Sequence, residues 1–323
     1  MNQVFKDKVV CFLGASNLSN GLYTYNLRSF LHRQKERCYV FNRGTAGNRA
    51  DMAFDIIDED VFALKPDFCV FSYGVNDMGI WLYDSFKEQT PEILAEREKR
   101  DQNYYNGVKD IVKRCKDAGV VPVLMSCNAV NEMLEEKPDI PTVGDNKEKA
   151  QLLGPWFYKR KTFKALNEHI RVYNKFLKDF AEKEGLMFFD TFSMTYEYML
   201  KCYPDMYASD GIHITRAGNK VVAKAVLECM GYSDVPLEFE GDEQNDEIRK
   251  AEQLDRSARF VKNNMFNKVF GDFTEEDIVK ECKRVIDDPN ETKWMKDYCE
   301  TYLRDYPRRK EFTEKVVELT MKY

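Results

Sequence analysis

A three-layer αβα fold, with a five-stranded parallel sheet between helices and a helical C-terminal extension, is predicted for this chain of 323 residues. Three observations predict it. Short apolar, β-branched runs alternate with longer amphipathic stretches over the first two thirds, the pattern of successive βαβ units. Each run closes in small or polar residues, as a strand does where it leaves a sheet. After Gly231 the composition shifts to strongly charged, helix-periodic sequence.

The first strand is read in VVCFLGAS (9–16), followed by a helical pattern over 23–34. RCYVFNRG (37–44) is the second strand and 52–64 the next helix. PDFCVFSYGVND (66–77) is the third strand, with a helix over 103–118. VVPVLMSC (120–127) is the fourth. A long excursion with Pro, Gly and charges (128–162) separates it from its helix at 163–184, and loops of that length are often functional. LMFFDTF (186–192) is the fifth strand. Thr215 is placed to cap a further helix whose Val221, Val222, Ala225, Val226, Cys229 and Met230 share one face. An acidic linker, SDVPLEFEGDEQND, leads to helices expected at 246–269, 275–287, 291–304 and 309–321, with Thr274 as a cap followed by Glu275 and Glu276 in the first turn. The expected division is 1–231 for a catalytic domain and 232–323 for the extension, which could cap the site, form a dimer surface or brace the sheet.

Hydrophobic residues make up 43% and charged residues 32%, a soluble globular composition. Lys plus Arg number 49 against 55 Asp plus Glu, a net charge of −6, and no basic run interleaves with aromatics. This argues against a nucleic-acid partner. The early apolar run from Val9 to Ala15 is broken by Gly14 and is far shorter than the ~20 residues of a membrane span. Nine cysteines without a C-x-x-C pair read as reduced thiols, and no signal-peptide layout is recognised, so a cytoplasmic protein is expected. With only His32, His169 and His213, and no H-x-x-x-H or Cys/His cluster, neither a metal nor another cofactor is expected. Phosphate-loop and dinucleotide fingerprints are absent from the strand-end turns.

Open α/β sheets bind ligands at the carboxyl ends of their strands. Gly14-Ala15-Ser16-Asn17 ends the first strand there, and its serine fits either a nucleophile or a helix cap. Asn42-Arg43-Gly44-Thr45-Ala46-Gly47-Asn48 follows the second strand, as a turn or as a place where backbone N–H groups meet a ligand. Gly74-Val75-Asn76-Asp77 ends the third: its amide can donate to an oxyanion while the acid bonds loop N–H groups, or the pair forms an Asx turn. Asp210-Gly-Ile-His213 follows the fifth, spaced so that the carboxylate can reach back to Nδ1 of the ring. Four strand ends supplying nucleophile, donors, base and orienter together outweigh the structural reading of each alone.

These blocks, FLGASN, NRGTAG, KPDFCVFSYGVND and SDGIHIT, resemble those of the SGNH or GDSL hydrolases, a family of serine esterases, over roughly residues 8–231. The resemblance implies a flavodoxin-like sheet, Ser16 as nucleophile, a Ser16–His213–Asp210 triad, and an oxyanion hole from the Ser16 N–H, Gly47 and the Asn76 amide. One departure stands out: Ala15 occupies the place of the acid in the family's Gly-Asp-Ser. The family spans carbohydrate deacetylases, lipases, lysophospholipases and thioesterases. Trp81, Tyr83 and Trp156, with Phe157 and Tyr158, could stack on a sugar ring or pack in the core. Without an extended apolar segment for a long chain, the expectation is a short acyl group, acetyl above all, on a carbohydrate. The alternatives are a lysophospholipase or thioesterase, and a non-catalytic ligand-binding protein.

Overall fold

The computed structural model describes residues 3–83, 89–133, 163–202, 205–208, 210–260 and 274–323. Five strands, β1 (Lys8–Gly14), β2 (Cys38–Gly44), β3 (Phe68–Ser72), β4 (Val121–Met125) and β5 (Met187–Phe189), form one sheet. All pairs are parallel, in the order β2-β1-β3-β4-β5. Gly14 pairs with Gly44 on one side and Ser72 on the other, so three strands end at the same height. The chain steps outward from β1 to β2 and then returns past β1 to β3. At that reversal a crevice opens beyond the strand ends.

Alternate strand residues leave the sheet on opposite faces. Cys11, Leu13, Cys69, Phe71 and Leu124 enter one core, while Val10, Phe12, Val40, Val70, Val123 and Met125 enter the other. Both faces are covered, which is why the strands read as near-continuous apolar runs. The helices before residue 231 are α1 (Ser16–Ser19), α2 (Leu22–Arg33), α3 (Ile57–Asp60), α4 (Val75–Met78), α5 (Pro91–Asp117), α6 (Phe163–Glu184), α7 (Thr191–Cys202) and α8 (Arg216–Cys229). Helices α5 and α6 cover the first face through Tyr104, Ile111, Ile170 and Tyr173, and α2 and α8 the second through Leu27, Leu31, Val222 and Val226.

Three elements depart from the sequence expectation. Residues 52–64 form α3 flanked by 3₁₀ turns (Ala50–Asp55 and Phe62–Leu64) rather than one helix. The segment is drawn against α5 at Gly107, where a Cβ would stand 2.5 Å from the Ala50 carbonyl carbon. Helix α5 starts twelve residues before the expected 103, at Pro91 behind a Thr90 cap; its first turns are charged and carry little apolar periodicity. The fifth strand stops at Phe189, because Asp190 accepts from Ser193 N–H and Oγ–H and starts α7.

The extension comprises α9 (Glu243–Phe260), α10 (Glu275–Asp287), α11 (Lys293–Asp305) and α12 (Arg309–Lys322). The part of the first expected tail helix beyond 260 lies outside the described residues. Thr274 closes a full capping box with Asp277. Helices α10 and α11 share a small core of Ile278, Cys282, Val285, Cys299 and Tyr302. The extension is fastened to the sheet by buried charge. Arg28, 1% exposed, makes a bidentate pair with Glu252 (3.0 and 3.1 Å) and bonds Asn245 and the Val40 carbonyl. Glu252 also accepts the Asn42 backbone N–H (3.0 Å), a group left open on the β2 edge. Arg43 pairs with Asp255, and Arg259 bridges Asp255 and Asp60. No helix among the described residues is long and apolar enough to cross a membrane, and the cysteines with described side chains are free thiols, apart from Cys202, whose side chain is not described.

Candidate active site

Ser16 is the first residue of α1, directly beyond β1. Two glycines let this tight turn seat itself. A Cβ on Gly14 would lie 2.8 Å from the Ser72 carbonyl oxygen, and one on Gly44 2.5 Å from Ser19 N. Ala15 caps α1 with backbone alone: its carbonyl accepts from Leu18 and Ser19 N–H (3.1 and 3.0 Å). The Ser16 N–H opens this helix and so has no intrahelical acceptor.

Asp210 and His213 lie on a turn closed by a bridge between Tyr207 and Ile214, with Gly211 in the left-handed region (φ 72°). Asp210 Oδ1 accepts the backbone N–H groups of Ile212 and His213, both at 2.9 Å. Its Oδ2 lies 2.6 Å from His213 Nδ1. His213 Nε2 lies 3.0 Å from Ser16 Oγ. With Nδ1–H donating to the carboxylate, Nε2 is left to accept the serine hydroxyl. Burial opposes charge on Asp210, but the bonds from the His213 ring and the two backbone N–H groups outweigh it and hold the carboxyl below its ordinary range. The hydrogen bond to Asp210 raises the His213 pKa, burial pulling the other way with less effect.

Asn17, to which the sequence reading gives no task, joins the two loops. Its Nδ2 donates to the Ile212 carbonyl (3.2 Å) and its Oδ1 accepts from Ile214 N–H (3.1 Å). The residue beside the serine therefore grips the backbone on both sides of the histidine.

Asn76 sits in α4, after Gly74, whose φ of 150° and closeness to Cys127 (3.2 Å from a hypothetical Cβ) exclude a side chain. Asn76 Nδ2 donates to the Asn48 carbonyl (2.9 Å), which fixes the amide. Asp77 plays the loop-holding part anticipated for it, accepting from Ala50 N–H at 2.7 Å. Burial pushes its carboxyl up to about 7. Gly47 lies in the turn before Asn48 with φ 74°. Gly44, the other glycine of that block, is occupied in packing against α1.

Ser16, Asn76, Asp210 and His213 line a cavity of about 280 Å³, whose remaining wall is mostly apolar: Ala15, Leu18, Tyr23, Val75, Ile80, Met125, Cys127 and Ile212. Gly47 is not among the described lining residues. Neither is Tyr83, one of the rings read as able to stack on a sugar or to pack in the core. It is buried against His169 (5.1 Å between ring centroids) with the Arg97 guanidinium over its face, so it is a core residue and not a platform. The Trp81 side chain and all of Trp156, Phe157 and Tyr158 lie outside the described residues. Asn128, on the segment leaving β4, also lines the cavity. The sequence signal for it was its place beyond a strand end, the same signal that marks Ser16 and Asn76.

The family model for GDSL-like lipases/acylhydrolases matches residues 12–221. An acetylxylan esterase from Geobacillus stearothermophilus is 23% identical over 193 residues, 60% of this chain and 72% of that protein. Its solved structure superposes with a TM-score of 0.52 at 20% identity, over 73% of this chain and 99% of that one. Versions of that esterase with a serine or a histidine replaced have been solved as catalytic mutants. A gut microbial diltiazem-metabolizing enzyme superposes over 99% of this chain and 97% of its own, with a TM-score of 0.70 at 13% identity. The arrangement of the C-terminal helices is thus shared with another protein.

Proposed function

The chain belongs to the GDSL-like lipase/acylhydrolase family and is a carboxylic ester hydrolase; from that premise we propose that it removes short acyl groups, acetyl first, from carbohydrate hydroxyls through an acyl-enzyme on Ser16. His213 Nε2 takes the Ser16 proton as Oγ attacks the ester carbonyl, and Asp210 stabilises the imidazolium that forms. The Ser16 N–H, the Asn76 amide and the Gly47 N–H receive the negative charge on the carbonyl oxygen. The tetrahedral adduct collapses, His213 returns the proton to the departing sugar hydroxyl, and a water activated by the same ring hydrolyses the ester on Ser16. Free acid and regenerated serine result.

The observation that carries this reading is the His213 ring, 3.0 Å from the serine oxygen and 2.6 Å from the carboxylate. Ala15, in place of the family's acid, subtracts nothing from that line. The short-acyl preference is supported by the size of the cavity, about 280 Å³, at the lower edge of the ~300–1,000 Å³ usual for small-molecule sites. The carbohydrate preference is supported by the acetylxylan esterase relative. In this reading residues 1–231 form the catalytic unit, 232–323 brace the open edge of its sheet, and the free thiols fit the cytoplasm.

The test is kcat/KM for acetylated xylo-oligosaccharides and for p-nitrophenyl esters of rising chain length. The expected result is turnover of the sugar acetates and a fall in rate beyond butyrate, all abolished in Ser16→Ala. Preference for octanoate or longer esters would replace the carbohydrate reading with a lipid one.

A further inference from the structure

Residues 127–131 leave β4 without regular structure, yet they are buried, and side chains from three directions hold their backbone. Cys127 N–H donates to Asn174 Oδ1 (3.0 Å), Ala129 N–H to Thr195 Oγ1 (3.2 Å) and Val130 N–H to Asn167 Oδ1 (2.8 Å). The Ala129 carbonyl accepts from Tyr207 Oη–H (2.8 Å), and Asn131 N–H donates to the Gly211 carbonyl (2.8 Å), between Asp210 and His213. A segment pinned this densely cannot easily swing its one cavity-lining amide elsewhere. That amide belongs to Asn128, 8% exposed, whose Oδ1 is buried without a hydrogen-bond partner among the described residues. The other two side-chain amides of the cavity differ: Asn17 and Asn76 are both committed to backbone groups. A buried polar atom without a partner is costly and rare in folded proteins. One held rigidly at the edge of a catalytic cavity is placed to be satisfied by substrate.

We propose that Asn128 is a substrate-binding residue that hydrogen-bonds a hydroxyl on the alcohol half of the ester, so that hydroxyl-bearing esters are selected over apolar esters of the same shape. The inference rests on the esterase reading of Ser16 and His213. An acetyl group has no polar atom beyond the ester oxygens, of which the carbonyl oxygen meets the oxyanion donors and the bridging oxygen meets His213; the partner of Asn128 is therefore on the alcohol. A hydroxyl suits either end of the amide, donating to Oδ1 or accepting from Nδ2, so the assignment does not depend on which way the amide is turned. A site built to bond a hydroxyl discriminates strongly against an analogue that lacks it, because its own polar group is then left unpaired.

The test compares a monoacetylated methyl xyloside with cyclohexyl acetate, a ring of similar shape without other hydroxyls, in wild type, Asn128→Leu and Asn128→Ala. Thermal unfolding of each variant checks that it is folded. Wild type is expected to favour the xyloside ester, and both variants to lower the ratio of the two kcat/KM values by about 10–100-fold, as for loss of one buried hydrogen bond. A ratio unchanged in the variants, or both esters falling in parallel, overturns the proposal and makes Asn128 a packing residue. A wild type that cleaves both esters without preference also overturns it, while leaving the esterase reading standing on its dependence on Ser16. Failure to cleave either ester removes that reading and the proposal with it.

Discussion

In the proposed reaction His213 acts as a base only while Nε2 carries no proton, so its titration is expected to set the acid limb of activity. The bond from Nδ1 to Asp210 stabilises the charged ring and raises its pKa above the ordinary 6.5. As pH falls through that raised value the ring protonates and the serine loses its acceptor. The kcat/KM profile is therefore expected to decline on the acid side with a midpoint above 6.5, and Asp210→Asn to move that limb to lower pH. The same substitution should cost about 10⁴ in kcat, because the ring loses the partner that fixes its tautomer. A limb that stays in place in Asp210→Asn would show that another group controls it. At this scale the sequence was most legible in the strand-end residues Ser16 and Asn76 and in the Asp210–His213 pair, which the structure sets not at the end of β5 but beyond α7. For Tyr83 the sequence left stacking and packing both open, because an aromatic ring near a site carries the same letter whether it faces ligand or core. Asn17 and Asn128 went unassigned because their roles depend on contacts 195 and 197 positions away or on the lack of a hydrogen-bond partner, which spacing does not encode.

Elements bring these residues together, and the weak point is the junction between α1 and the turn carrying Asp210 and His213. Apart from the bond between His213 and Ser16, the Asn17 amide is the polar tie between them among the described residues. Asn17→Ala is expected to lower kcat by about 10²-fold with a smaller change in KM, since a misplacement near 1 Å is enough for such a loss. Stopped-flow or steady-state kinetics on p-nitrophenyl acetate reads this split, and an unchanged kcat would assign Asn17 to stability alone. The strands and the longer helices were legible because both sheet faces are buried and produce unbroken apolar runs. Boundaries failed where another influence prevailed: a close backbone approach at Gly107 breaks the 52–64 helix, and a solvated, charged first half hides the start of α5.

Across the whole molecule, three buried arginines meet three buried carboxylates where the extension joins the sheet: Arg28 with Glu252, Arg43 with Asp255, and Arg259 with Asp60. Such pairs contribute little net stability when intact, but removing one partner leaves an uncompensated buried charge. Glu252→Ala strips the carboxylate from Arg28 and the acceptor from Asn42 N–H at once, and should cost about 3–5 kcal/mol in a denaturant melt. A change below 1 kcal/mol would mean that the extension is not fastened there. The joint was illegible in the sequence because Asn42 and Arg43 looked like part of a ligand turn, while their partners lie more than 200 residues away. The fold's main consequence remains the meeting of the ends of β1, β3 and β4 with the turn beyond α7 around one cavity that holds Ser16. A fluorophosphonate probe, followed by peptide mapping, tests this most directly. The account predicts a single adduct on Ser16 that is lost in His213→Ala; an enzyme that hydrolyses esters with Ser16 unlabelled, or labels equally without His213, would contradict it.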